Sequence, residues 1–79
     1  MYPNPARGAA TLSVRLAEPA TVRVAVYDAL GRQVAGTESA AGTGTTPVPL
    51  DLSGLPSGLY IARVTASGDV AMHRVTVVR

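Results

Sequence analysis

Apolar residues recur at every second position in several short stretches of this chain, most clearly within residues 21–34. From Val22 to Val26, valines alternate with polar or small residues, and a period of two places the valines on one face of a β-strand. Asp28 and Gly31 then occupy the first and fourth positions of a turn, where Asp can bond the backbone ahead of it and Gly can adopt a positive φ. The pattern predicts a β-hairpin whose type I turn is closed by a glycine bulge.

Three other stretches, residues 10–16, 59–65 and 70–78, alternate in the same way. Turn-forming residues bound each of them, as is usual for short strands. Residues 47–52 also alternate but contain two prolines, which cannot donate to a ladder, so we place this strand at a sheet edge. The residues predicted to face the core from the three longer stretches are Leu12, Val14 and Leu16, then Tyr60, Ala62 and Val64, and finally Val75 and Val77.

In the strand that contains Arg63, successive side chains point to opposite faces, so the face on which Arg63 lies determines which of its neighbours are exposed. If Arg63 faces water, Leu59 and Ile61 share the outer face with it, with Val78 beside them. Exposed apolar residues of this kind can mark a docking patch. Two alternatives stay open: a bulge could reverse the parity of the strand, or residues 2–5 could lie over the patch.

Residues 36–46 are small, polar and rich in glycine, and they show no period. They fit a long loop or a weak edge strand equally well. No stretch of the chain has the period of a helix. Five or more short strands at about ten-residue spacing are typical of an antiparallel sandwich, so the predicted fold is all-β.

Composition sets limits on size and chemistry. The chain has 79 residues, enough for one domain with a thin core, and it has no cysteine, which excludes disulfides and thiolate metal sites. The net charge is +2, and the seven basic residues are all arginines. No apolar run is long enough to span a bilayer, and no signal peptide opens the chain. For an exported domain the signal would lie elsewhere in a longer precursor, and Met1 is compatible with an added expression start.

Candidate chemistry is sparse. His73 is the only histidine and has no partner at ligand or triad spacing, and the five acidic residues are scattered over turns without paired spacing. We therefore expect no catalytic site, no cofactor and no metal. Nucleic acid is not an expected partner, because the basic residues are not interleaved with stacking aromatics. A basic stripe for an anionic partner and ordinary solvated charge are both open interpretations of four arginines, Arg15, Arg23, Arg63 and Arg74.

Four motifs carry a family resemblance. They are Tyr-Pro-Asn-Pro at residues 2–5, Asp-Ala-Leu-Gly-Arg-Gln-Val at 28–34, Leu-Pro-Ser-Gly-Leu-Tyr at 55–60, and Arg-Val-Thr-Val-Val-Arg at 74–79. In this order and spacing they resemble the C-terminal sorting domain of proteins exported by the type IX secretion system of Bacteroidota. The last strand of that family usually carries a lysine and an aromatic residue, where this chain has Arg74 and Val75.

The resemblance implies an immunoglobulin-like sandwich of about seven strands and a non-catalytic role. Residues 1–79 would form the single C-terminal domain of a larger secreted protein, which it directs across the outer membrane to the cell surface or the extracellular space. The implied partners are the type IX translocon and a surface sortase that joins the cargo to anionic lipopolysaccharide. The implied recognition residues are Pro3, Asn4, Pro5, Asp28, Gly31, Arg32, Gly58, Tyr60, Arg74, Val75 and Val77.

Simple structural roles for the same residues are the first expectation. Asp28 and Gly31 suit a plain turn, Gly58 would relieve a tight backbone approach to its strand, and Tyr60 would fill the core with its hydroxyl bonded. The alternative function is an immunoglobulin-like adhesion or carbohydrate-binding module of an extracellular hydrolase. Sugar-binding surfaces usually offer aromatic platforms, and only Tyr2, Tyr27 and Tyr60 are available.

Overall fold

A computed structural model describes residues 8–78 of the chain. In this range the backbone forms six β-strands and no helix. The strands are β1 (Ala9–Leu16), β2 (Ala20–Tyr27), β3 (Gln33–Ala41), β4 (Gly44–Asp51), β5 (Gly58–Ala66) and β6 (Asp69–Val77). The all-β prediction is confirmed.

The strands form two antiparallel sheets that enclose one core. The larger sheet has four strands in the order β3-β2-β5-β6, and the smaller pairs β1 with β4. The alternating aliphatic residues predicted from the sequence are buried between the sheets, with Leu16 packed at the edge of this core. The largest fully buried side chains are Leu12, Leu52, Val22, Val26, Val48, Val75 and Val77.

Residues 36–46, which fitted a loop or an edge strand, belong mostly to two strands. β3 forms one edge of the larger sheet, and after Gly42 and Thr43 the chain crosses to the smaller sheet as β4. Ala41 is the one buried inward residue of β3; Ala35, Thr37 and Ser39 are only half-buried, because this strand lies at an edge. The apolar period that marks a buried strand is therefore missing from its sequence.

The prolines of β4 take the edge position that the sequence predicts. Pro47 lies opposite Ser13 and Pro49 opposite Thr11, and both prolines are exposed. Residues two positions apart in a strand direct their backbone nitrogens to the same side, so the nitrogens of Pro47 and Pro49 point the same way. Because β4 pairs with β1 along its whole length, that side is the one facing away from β1. The edge of β4 that faces away from β1 therefore lacks two donors and is a poor site for adding another strand.

Two strands cannot cover four, and β6 shows the consequence. Val75 and Val77 are buried under the smaller sheet, whereas Asp69, Ala71 and His73, which have the same parity, are exposed. The first half of β6 is thus open to solvent on both faces.

Core packing gives a direct test of this architecture. Replacing Leu12, which is 1% exposed, by Ala should lower the free energy of unfolding by roughly 2–5 kcal/mol, because the change leaves a cavity between the sheets. Leu30→Ala is the matched control, since Leu30 is 78% exposed and the same change there should cost little. Urea unfolding followed by circular dichroism measures both, and equal losses would contradict the placement of the core.

Candidate recognition surfaces

The turn between β2 and β3 is organised by the Asp28 carboxylate. Asp28 Oδ1 accepts hydrogen bonds from the backbone N–H groups of Leu30 at 2.9 Å and Arg32 at 3.0 Å. Arg32 Nε donates to Asp28 Oδ2 at 3.0 Å, and Gly31 N–H donates to the Asp28 carbonyl at 3.0 Å. Gly31 has φ +84°, a left-handed conformation that favours glycine. The predicted type I turn closed by glycine is confirmed.

These contacts change the acidity of Asp28. The backbone N–H of Arg32 makes the largest contribution and lowers the pKa of the carboxyl; partial desolvation opposes it, and the Leu30 N–H and the Arg32 guanidinium add to the lowering. The register of β2 with β3 shifts after Val26, which marks a bulge beside the turn. The hydrogen bonds to Asp28 hold the turn in place, and Leu30 is exposed at its tip.

Tyr60 anchors the start of β5. Its ring is buried, and its hydroxyl donates to the carbonyl of Pro56 at 2.6 Å, so the predicted partner of the hydroxyl exists. A tyrosine bonded to the backbone a few residues upstream is also a feature of immunoglobulin-like sandwiches, where it is called the tyrosine corner. The expected tight approach at Gly58 is not found: an added Cβ would lie 3.8 Å from the Tyr60 ring, an ordinary contact.

Leu59 and Ile61 lie on the outer face of the larger sheet, as their parity predicts. Leu59 is 50% exposed and Ile61 is half-buried, so no bulge reverses the strand. Residues 2–5, which could have covered this patch, lie outside the described residues. Val70 and Met72 of β6 are also exposed on this face. Their exposure was not predicted from the sequence, although the inward parity of Val75 and Val77 implies it.

Three sequence motifs meet at one end of the larger sheet. Tyr27, which precedes the turn, lies opposite Ile61, and Ile61 lies opposite Arg74 of the last strand. Tyr60 lies opposite Val75, while Gly58 pairs with Val77. We call this region, formed by the turn at residues 28–32, the start of β5 and the end of β6, the motif end. The fourth motif, with Pro3, Asn4 and Pro5, lies outside the described residues.

The four candidate arginines divide between the two sheets. Arg15 is exposed on β1, in the smaller sheet, whereas Arg23, Arg63 and Arg74 are exposed on three successive strands of the larger sheet. Arg23 Nε lies 2.8 Å from Glu38 Oε2, so this arginine is paired with an acidic neighbour on β3. Among residues 8–78, no group of three or more His, Cys, Asp or Glu side chains could hold a metal ion.

Residues 8–78 contain no helix that is long and apolar enough to cross a bilayer. In comparisons with known proteins, a family model described as a secretion system C-terminal sorting domain matches residues 1–78. The match includes the motifs at residues 28–34 and 55–60 and the last motif up to Val78. No curated protein matches the chain.

Acid titration tests the role of Asp28. Its folded pKa lies below the usual 3.8, so its contribution to stability is present above about pH 3.8 and is lost as the pH falls through the lowered value. Asp28→Asn should destabilise the domain at neutral pH, and the difference from the unsubstituted chain should shrink in acid. Asp69→Asn is the control, because Asp69 makes no side-chain hydrogen bond within residues 8–78. A constant difference from pH 7 to pH 2 would contradict the assignment.

The Tyr60 hydroxyl provides a further test. Tyr60→Phe should lower the free energy of unfolding by about 0.5–1.5 kcal/mol, because it leaves the Pro56 carbonyl without its donor. Tyr27→Phe serves as the control, since the Tyr27 hydroxyl has no hydrogen-bond partner among residues 8–78. Thermal unfolding of both variants measures the effect. A larger loss at Tyr27 would show that the corner at Tyr60 is unimportant.

Proposed function

This chain belongs to the family of secretion system C-terminal sorting domains, and on that premise we propose that the export machinery reads its motif end. The family is non-catalytic. Its members are signals for type IX secretion that act through the machinery of that system and send their proteins to the cell surface or the extracellular space. The proposal concerns which part of the folded domain carries this signal.

The convergence of the motifs is the observation that supports the proposal. The turn, the start of β5 and the end of β6 are far apart in the sequence, yet pairing from Tyr27 through Ile61 to Arg74 joins them on adjacent strands. Turn chemistry and core packing explain Asp28, Gly31, Tyr60, Val75 and Val77 individually. They do not explain why the exposed side chain of Leu59 should lie among them, and a docking surface does.

We further infer that residues 1–79 are the single C-terminal domain of a larger exported protein. On this view a surface sortase removes the domain and joins the parent protein to anionic lipopolysaccharide, and the parent can be a hydrolase. Family membership supports these steps. The enclosed core, which unites all six strands, supports a domain that folds as one unit.

The alternative, a carbohydrate-binding or adhesion module, lacks a supporting aromatic platform in the described residues. Tyr60 is buried in the core. Tyr27 lies on the outer face, but the guanidinium of Arg63 lies over its ring, with Cζ 5.9 Å from the centroid. Sugars usually stack on open aromatic faces, so Tyr27, which is half-buried, is poorly placed for this role.

Export of a fusion tests the proposal. Residues 2–79 are placed behind a periplasmic reporter in a bacterium with type IX secretion, and the fraction of reporter outside the cell is measured. Leu59→Asp should leave most of the reporter in the periplasm, because it places a charge in the motif end. Val70→Asp is the matched control: it makes the same kind of change on the same face at the opposite end, where the side chain is 58% exposed.

The outcomes separate the parts of the proposal. Equal export of the Leu59→Asp and Val70→Asp fusions would exclude the motif end as the recognised surface. Failure of the unsubstituted fusion would argue against the autonomous sorting role itself. Thermal unfolding of each domain confirms that the substitutions leave it folded. A point substitution is preferable to removing residues 74–79, because that truncation also removes Val75 and Val77 from the core.

A further inference from the structure

Three arginines form a diagonal row on the outer face of the larger sheet. Arg23 of β2 lies opposite Thr65, two positions along β5 from Arg63. Arg63 lies opposite Met72, two positions along β6 from Arg74. The Cα atoms of diagonal neighbours of this kind are about 7–8 Å apart. We call Arg23, Arg63 and Arg74 the arginine row.

This spacing matches that of an extended peptide. Residues two positions apart in a strand point to the same side and are separated by roughly 6.5–7 Å. A peptide with acidic residues at alternate positions, lying across the sheet along the row, can therefore place one carboxylate near each arginine. A run of four acidic residues cannot do this, because only two of the four point to the same side of the strand.

Arg63 is the best placed of the three for such a contact. Its guanidinium lies over the Tyr27 ring at 5.9 Å from the centroid, and no carboxylate pairs with it among residues 8–78. Arg23 is paired with Glu38, but both side chains are largely exposed, at 73% and 57%, so the pair is weak enough for another carboxylate to compete. Stacking on Tyr27 orients the Arg63 guanidinium before any ligand arrives.

A depression beside the row gives a ligand access to Arg63. Its lining includes Ala25 and Gly36, whose small size keeps this part of the sheet low, together with Gln33 and Arg63, and its volume is about 510 Å³. A side chain at Gly36 would crowd the depression, because its Cβ would lie 3.0 Å from the side-chain nitrogen Nε2 of Gln33 and 3.2 Å from the carbonyl oxygen of Val24. The depression is open and polar rather than a closed cavity.

We propose that the outer face of the larger sheet binds an extended acidic peptide segment of a partner protein. Carboxylates at alternate positions of the segment face the sheet and contact the arginine row, while the residues between them face solvent. A polysaccharide acid fits less well, because Arg63 covers the face of Tyr27 on which a sugar would stack. This inference goes beyond export, since it assigns a ligand chemistry to a face of the sheet.

Peptide titration of the 79-residue chain, followed by ¹⁵N NMR, tests the proposal. The probe is an octapeptide that alternates Glu and Thr, and the comparison is a peptide of the same composition with its four Glu residues together. The alternating peptide should bind more tightly and shift amides of β2, β5 and β6. Arg63→Gln should weaken its binding roughly two- to fivefold, the worth of one exposed ion pair.

Two variants of the chain control for charge. Arg15→Gln removes the same charge from the smaller sheet and should leave the affinity unchanged. Glu38→Gln should raise the affinity, because it releases Arg23 from its partner. Equal weakening by Arg15→Gln and Arg63→Gln would show attraction by net charge alone and overturn the site. The proposal also fails if neither peptide binds, if the clustered peptide binds equally well, or if an oligouronate binds the same face more tightly.

Discussion

Burial of one aliphatic face per strand between two unequal sheets is the constraint on which the rest of this structure depends. The chain has no disulfide, no Phe and no Trp, so it must gain its stability by packing Val, Leu and Ala together with Tyr60. At about 25 cal/mol per Å² of apolar surface, such small side chains stabilise a fold only when many of them are excluded from water together. That requirement fixes the strand parity, and strand parity decides which side chains lie on the outer faces of the sheets.

The inequality of the sheets creates the surfaces that are available for recognition. A two-stranded sheet leaves part of a four-stranded sheet uncovered, so β6 is buried at Val75 and Val77 but open at Ala71 and His73. The outer face of the larger sheet is wide enough for side chains from four strands to form a pattern. Neither the motif end nor the arginine row exists within a single strand. Both are products of pairing, and so they are present only in the folded domain.

The sequence predicts local structure here better than pairing. The turn at Asp28 and Gly31 could be predicted because its residue types act over four positions, and the parity of β5 could be predicted because Arg63 marks the solvent side. Residues 36–46 could not be resolved, since an edge strand buries too little to impose an apolar period. The meeting of the three motifs and the diagonal of arginines depend on strand order and register, which no local pattern contains.

The last strand combines two roles that are physically coupled. Val75 and Val77 point inward and belong to the core, whereas Arg74 lies exposed on the outer face. An unfolded tail has the same residues but no neighbouring Leu59 and no adjacent turn. A partner that reads the motif end therefore distinguishes folded from unfolded domains, because the surface it needs forms only when Val75 and Val77 are packed. Recognition of the motif end would then depend on the stability of the core as well as on the residues exposed at the surface of the domain.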